Sequence, residues 1–423
     1  MEKIGIIGAG ISGMTVATLL NKTHEVVVFE KEDRPGGLIR CKKLPEGLFH
    51  ICGGHVFNTK LEEVQNWFWH HFDRENDFVK ARRNSVVFTS EDLVIPYPVE
   101  NHFFLFDKGI QNKIIQDLLF ISAHPMEPSN FEDFLINRFG KTLYELYFEP
   151  YNRKVWRRNL SKVPLDWLEG KLPMPTVEEI LFNNINHIEE QSFVHSSFYY
   201  EKNGGSQFLI DKLQRGIEIR CNKHVEKLCY QRDQWIIEGE QFDKIVFCGN
   251  IKELPSLLRG LFKDLDYYEK EIESLEYHGT TSVFCEILPN PYSWVYLPNN
   301  SYDAHRIICT GNFSKNNNYN GKFTGTVEFS DYYSEELIIQ NLKKMPLSPR
   351  YIDSHYNEYS YPIQNHDTRG MIRHFKERLA SKNLFITGRF ADWEYYNMDK
   401  AIFAAMKLVE RMFDKKNEML SLY

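Results

Sequence analysis

Lys3-Ile4-Gly5-Ile6-Ile7-Gly8-Ala9-Gly10-Ile11-Ser12-Gly13 (KIGIIGAGISG) decides the fold. Lys3–Ile7 is a short apolar run, as expected of a strand buried on both faces of a parallel sheet. The glycines follow at once. Gly8 permits a tight turn, Gly10 lets a pyrophosphate approach the backbone, and Gly13 lets a helix pack close to the strand. Ile11–Leu20 (ISGMTVATLL) carries small and apolar residues at helical spacing, and its amino end offers unpaired N–H groups to an anion. Glu25–Phe29 (EVVVF) reads as the next strand. Glu30 then stands 17 residues after Gly13, where a carboxylate accepts hydrogen bonds from a ribose diol. Strand, turn, helix, strand and acid in this order predict dinucleotide binding on an α/β, Rossmann-type domain.

A chain of 423 residues is too long for one simple core. Hydrophobic residues make up 42% and charged residues 26%, an ordinary globular composition. Fifty-one Lys and Arg against 58 Asp and Glu give a net charge of −7, which does not suit a nucleic-acid groove. Aromatic residues are abundant at 14%, which fits either an aromatic core or a site that stacks on rings. The seven cysteines form no CxxC pair and their odd number argues against a disulfide framework, so reduced thiols and a cytoplasmic location are expected. No spacing suggests zinc, no metal is expected, and no 18-residue apolar run could span a membrane.

Further along, Gly53-Gly54-His55 lies between apolar residues. Leu61–Asp73, Asp107–Ala123, Asn130–Phe139, Lys141–Glu149 and Thr176–Ile188 are expected as helices, with Pro150–Trp156 turning out of them. Ser85–Phe88 and Leu93–Ile95 read as a hairpin. Ser206–Leu213 reads as a helix, and Ile217–Arg220, Val225–Tyr230 and Gln234–Ile237 as a small meander. Phe242–Phe247 and Leu384–Ile386 read as strands returning to the first domain, and β-rich segments at 279–287, 293–297, 306–310 and 324–329 as a second sheet. The expected organisation is therefore discontinuous. Residues 1–72, 195–250 and 380–423 would form the cofactor domain, 73–194 a helical substrate-binding insertion, and 251–379 a sheet domain, with the active site in the cleft between them.

Arg34-Pro35-Gly36-Gly37, just after Glu30, resembles the second glycine turn of the FAD-containing amine oxidase group, which points to FAD. Gly53-Gly54-His55-Val56-Phe57, the run Phe148–Trp156 (FEPYNRKVW), Gly388-Arg389-Phe390 and Tyr395-Tyr396-Asn397-Met398-Asp399 are more specific. With Pro96–Asn101 and Trp294-Val295-Tyr296, they make the chain resemble the UDP-galactopyranose mutase family over nearly its whole length. That resemblance implies a reaction without net redox change. Reduced flavin attacks the anomeric carbon through N5, UDP leaves, and the sugar of the flavin adduct opens and recloses as a furanose, for surface polysaccharide.

The resemblance also implies roles for individual residues. His55, Arg306 and Arg389 would be catalytic. Gly8, Gly10, Ile11, Ser12, Gly13, Glu30, Lys31, Gly37, Leu38, Gly53, Gly54, His55, Val225, Arg389, Met398 and Asp399 would hold the cofactor. Tyr97, Asn101, Tyr151, Asn152, Trp156, Lys171, Trp294, Tyr296, Arg306, Tyr361 and Tyr395 would hold a UDP-sugar. Lys171 stands where the family has arginine, which keeps the charge but loses the bidentate fork and leaves the sugar open. The resemblance is compatible with a homodimer. An FAD-dependent oxidoreductase of the amine oxidase or protoporphyrinogen oxidase type is the alternative, since one fold hosts several reactions. An FAD-binding protein without catalysis is a third reading.

Overall fold

A computed structural model describes residues 1–89, 93–165, 175–188, 197–365 and 367–413. The opening strand Lys3–Ile7 lies at the centre of a five-stranded, all-parallel sheet. The strand order is Leu384–Ile386, Lys244–Phe247, Lys3–Ile7, Glu25–Phe29, Glu218–Arg220. Ile4, Ile6, Val27 and Val28 are fully buried, as strands covered on both faces require. Helices Ile11–Leu20 and Met398–Met412 cover one face together with Gln207–Leu213. Helices Leu254–Leu257, Leu265–Glu273 and Thr368–Ala380 cover the other. Apart from Ala380, these last three helices lie in 251–379, the range expected as the sheet domain, so packing on the parallel sheet draws on more of the chain than residues 1–72, 195–250 and 380–423.

The second sheet has seven strands in the order Arg350–Pro362, Tyr277–Glu286, Thr324–Ser330, Arg306–Ile308, Trp294–Tyr296, Ser85–Phe88, Val94–Pro96. The hairpin Ser85–Phe88 and Val94–Pro96, expected with the helical insertion, instead extends this sheet through a parallel pairing with Trp294–Tyr296. The 13-residue strand Arg350–Pro362 has no counterpart in the sequence reading. It forms one edge of the sheet and mixes polar and aromatic residues on both faces, so it carries no apolar run.

Two other expectations change. Glu218–Arg220 joins the parallel sheet, and the separate meander consists of Cys229–Gln231, Gln234–Ile237 and Glu240–Phe242. Pro150–Trp156 is not a turn: helix runs over Glu149–Trp156. Pro150 has no N–H to give the turn before it, and a π turn over Tyr144–Phe148 absorbs the lost bond, with the Glu149 N–H donating to the Tyr144 carbonyl five residues back. Phe131, Leu135, Phe139, Leu143 and Ile180 of the helical insertion share one core with Val87, Trp294, Ile308 and Phe313 on and beside the second sheet. No helix among the described residues is long and apolar enough to cross a membrane.

Candidate active site

The first glycine turn is built as its sequence requires. Gly8 has φ +102°, and a Cβ there would lie 3.1 Å from the Cys248 backbone. A Cβ on Gly13 would come within 1.9 Å of the Gly8 carbonyl, so the helix reaches the strand only without a side chain. At Gly10 the nearest atom to a built Cβ is the Gly37 Cα, 3.9 Å away, and Gly10 bridges to Gly36. The two glycine turns thus stand face to face over the open amino end of Ile11–Leu20, which has no side-chain cap. Glu30 is buried at the end of its strand, with one oxygen accepting from the Ala9 N–H at 2.8 Å and the other from the Glu32 N–H at 3.0 Å. A carboxylate held this way retains lone pairs for a diol. Lys31 follows it, in an ion pair with Glu253. Val225 packs near Phe29. Gly388 closes in from the last strand, its built Cβ 3.3 Å from the Ser12 hydroxyl. Met398 and Asp399 open the final helix, whose Asn397 provides no side-chain cap. An uncapped helix end, a cradle that a Cβ would fill and a buried acid fit a dinucleotide.

The loop Cys52–His55 leads from this groove towards the second sheet. His55 bonds to the Leu38 backbone, and its Nε2 is buried without a hydrogen-bond partner. Only the other ring nitrogen can donate to a carbonyl, so Nε2 carries the bare lone pair. Burial, helped by neighbouring His50 and Arg389, pulls the His55 pKa down to about 3, and the ring is neutral near pH 7. Gly54 lets the loop lie on Ile308, since a Cβ would meet that side chain at 2.7 Å.

Three strands of the second sheet align Tyr296, Arg306 and Glu328 as direct cross-strand partners. Glu328 is fully buried and bonded to the Arg306 guanidinium through Nε. Its other oxygen accepts from the Gly53 N–H at 2.9 Å, and His305 Nε2 lies 3.6 Å away. Burial alone would raise the Glu328 pKa, but Arg306 and His305 outweigh it and hold the carboxyl well below the usual range. One acid therefore ties the glycine–histidine loop to the arginine. Arg306 is 20% exposed and makes no other described bond, which leaves its terminal nitrogens available to an anion.

Tyr151 stands edge-on to Tyr296 at 5.5 Å, and Tyr97 tilts against Tyr296 at 4.9 Å. Tyr361 stacks on Tyr395 at 5.3 Å, and the Arg389 guanidinium lies 4.2 Å from the Tyr395 ring centre. Arg389 donates to the Tyr396 and Ser360 carbonyls, while its Nε is buried without a partner. Tyr97, Tyr151, Tyr296, Arg306, Tyr361, Tyr395 and Arg389 therefore form linked clusters on the second sheet, helix Glu149–Trp156 and the strand-end turn.

Other expected residues point elsewhere or are engaged. Asn152 folds its amide back onto the Phe148 carbonyl. Trp294 packs on Phe198 and Phe313 in the core. Asn101 is buried in a short turn, and Trp156 lies edge-on between Phe131 and His278. Lys171 lies outside the described residues.

The sequence reading passed over Arg83, Glu328 and His278. Arg83 donates to the Tyr296 hydroxyl and lies over the Tyr97 and Trp294 rings. Glu328 had a signal: a single acid inside the otherwise uncharged strand TGTVEFS needs a buried cation partner. His278 stacks on Tyr361 at 4.6 Å; nothing about an isolated histidine in EYHGTT marks it.

Comparison with known proteins agrees with this architecture. Residues 6–74 match a family model described as an NAD(P)-binding Rossmann-like domain. The chain is 23% identical to a UDP-galactopyranose mutase of Mycoplasma genitalium, over 96% of this chain and 94% of the relative. It is 22% identical to a dTDP-fucopyranose mutase of Escherichia coli, over 99% and 100%. A crystal structure of reduced UDP-galactopyranose mutase superposes with a TM-score of 0.85 at 20% identity, over 97% of this chain and 95% of that one. Over nearly its full length the chain resembles the UDP-galactopyranose mutase family and shares its fold.

Proposed function

We propose that the chain is an FAD-dependent nucleotide-sugar mutase that interconverts UDP-galactopyranose, or a close analogue, with its furanose form for surface polysaccharide. The observation that supports this most is the buried Glu328, which joins the His55 loop to Arg306 across the sheet. It sets a free cationic edge beside the turn that would face the flavin. Reduced FAD, when bound, supplies the nucleophile for the anomeric carbon. Gly8, Gly10, Gly13, Glu30, Gly37, Met398 and Asp399 are the residues that would hold it.

The chain's own groups then have distinct tasks. Arg306 and Arg389 offset the charge of the departing diphosphate, an electrostatic role that gains strength where water is excluded. Tyr361 and Tyr395 present hydroxyls to the same phosphates. Neutral His55 offers a lone pair rather than a charge, so it adds no cation that would repel Arg389. Tyr97, Tyr151 and Tyr296 form an aromatic wall for uridine and sugar.

The nucleotide and sugar rest on the relatives' names, which include both a UDP-sugar and a dTDP-sugar enzyme. The test is incubation with UDP-galactopyranose, and separately with a dTDP-6-deoxypyranose, with and without dithionite. A furanose product formed only with reduced flavin is expected. Steady oxygen consumption without a furanose product would overturn the reading in favour of an oxidase.

A further inference from the structure

Lys154 lies in the run FEPYNRKVW but has no part in the chemistry above. Its ammonium donates to three backbone carbonyls: Leu297 at 2.8 Å, Asn299 at 2.5 Å and Ala304 at 3.2 Å. The Tyr302 ring centre lies 4.8 Å from it. Three acceptors use up all three N–H donors of a lysine. No carboxylate hydrogen-bonds to it among the described residues; burial pulls its pKa down to about 7, and Asp303 of the same connection, the three carbonyls and the aromatic face support the charged form. All three carbonyls belong to one connection, residues 297–305, between strands Trp294–Tyr296 and Arg306–Ile308. That connection is short, and its ends carry Tyr296 and Arg306.

On the other side, Lys154 belongs to helix Glu149–Trp156, three residues after Tyr151 and on the same helical face. Tyr151 in turn meets Tyr296 at 5.5 Å and the His305 ring at 6.3 Å. The helix and the turn therefore touch twice: through aromatic rings at the site, and through the ammonium one turn further along.

We propose that Lys154 is a positioning residue: it pins the 297–305 turn to helix Glu149–Trp156 and so fixes Tyr296 and Arg306 against Tyr151 for nucleotide-sugar binding. This rests on the function proposed above. A flexible point charge suits the task better than arginine, because three carbonyls converge on one atom and a planar fork cannot reach them all. Methionine fills the volume but leaves the three carbonyls without donors, and the turn then relaxes to find other partners.

The test uses the full-length flavoprotein, with UDP as the probe, followed by protein fluorescence. Steady-state turnover is measured on the nucleotide sugar that wild type converts. Lys154→Met is expected to keep the wild-type flavin content while weakening UDP binding and raising KM at least tenfold, with kcat changed less than threefold. Lys154→Arg is expected to fall between the two. A purely structural lysine would lower flavin content and active fraction together and leave KM unchanged. UDP binding by Lys154→Met within twofold of a UDP-binding wild type would overturn the proposal while leaving the mutase reading intact. Failure of wild type itself to bind UDP would overturn the nucleotide-sugar reading and this role with it. If Lys154→Met does not fold, Lys154→Arg decides: wild-type KM with full flavin overturns the role, and a raised KM with full flavin supports it. Loss of flavin from both variants also overturns it.

Discussion

Arg306 and Glu328 face each other as a direct pair on neighbouring antiparallel strands, and the same carboxylate reaches the Gly53 N–H of the loop that carries His55. A buried pair of this kind is costly to break, because removing one charge leaves the other unmatched in low dielectric. The effect is about 3–5 kcal/mol. Glu328→Gln is therefore expected to destabilise the protein by roughly that amount in urea unfolding at pH 7. It should also cost more activity than flavin content, since Arg306 loses its anchor.

The same acid gives a pH dependence with a definite sign. Its folded pKa lies below that of an ordinary glutamate, so the unfolded chain takes up its proton first as the pH falls. Its stabilisation is fully present above the unfolded value, about 4.3, and fades as the pH falls below that. The stability gap between wild type and Glu328→Gln is expected to shrink between pH 5 and pH 3. A gap that stays constant over that range would exclude Glu328 as the acid-sensitive group.

His55 is expected to remain neutral throughout the working range, because burial and its neighbours pull its pKa to about 3. Nitrogen chemical shifts of the labelled imidazole should show one fixed neutral tautomer from pH 8 to pH 5. An inflection assigned to His55 near pH 6.5 would contradict the buried geometry.

Gly10 and Gly13 make the same motif but should fail differently. A methyl at Gly13 collides with the Gly8 carbonyl, so Gly13→Ala should disrupt the opening helix and lower the melting temperature. At Gly10 a methyl meets little protein, only the Gly37 Cα at 3.9 Å. Gly10→Ala should therefore fold normally and lose flavin, at least tenfold by flavin absorbance per protein.

Arg389 is held by two carbonyls and stacked on Tyr395, which needs a flat cation. Arg389→Lys keeps the charge but loses the stack and the second bond, and is expected to lower turnover about tenfold or more. Wild-type turnover for this variant would show that charge alone suffices.

The first domain was legible because its signals are local. Strand Lys3–Ile7, the glycine turn, helix Ile11–Leu20 and strand Glu25–Phe29 occur where the residues place them, since period, glycines and burial all act within a few residues. The helix through Pro150 was not legible. Proline argues for a turn, and only the surrounding helix packing makes the π turn worthwhile. Strand Arg350–Pro362 was hidden for a related reason: an edge strand keeps polar residues on both faces.

By itself the sequence determined the Rossmann-type opening, with its two glycine turns and the acid after the second strand. The tertiary structure decided which side chains meet. Strand register set Tyr296, Arg306 and Glu328 in one line, and a loop 275 residues from Glu328 closed onto the same carboxylate. It also turned Trp294 and Asn152 towards the core and their own helix. A strand's own pattern fixes which face it buries, but which distant strand it pairs with is chosen only when the sheet assembles.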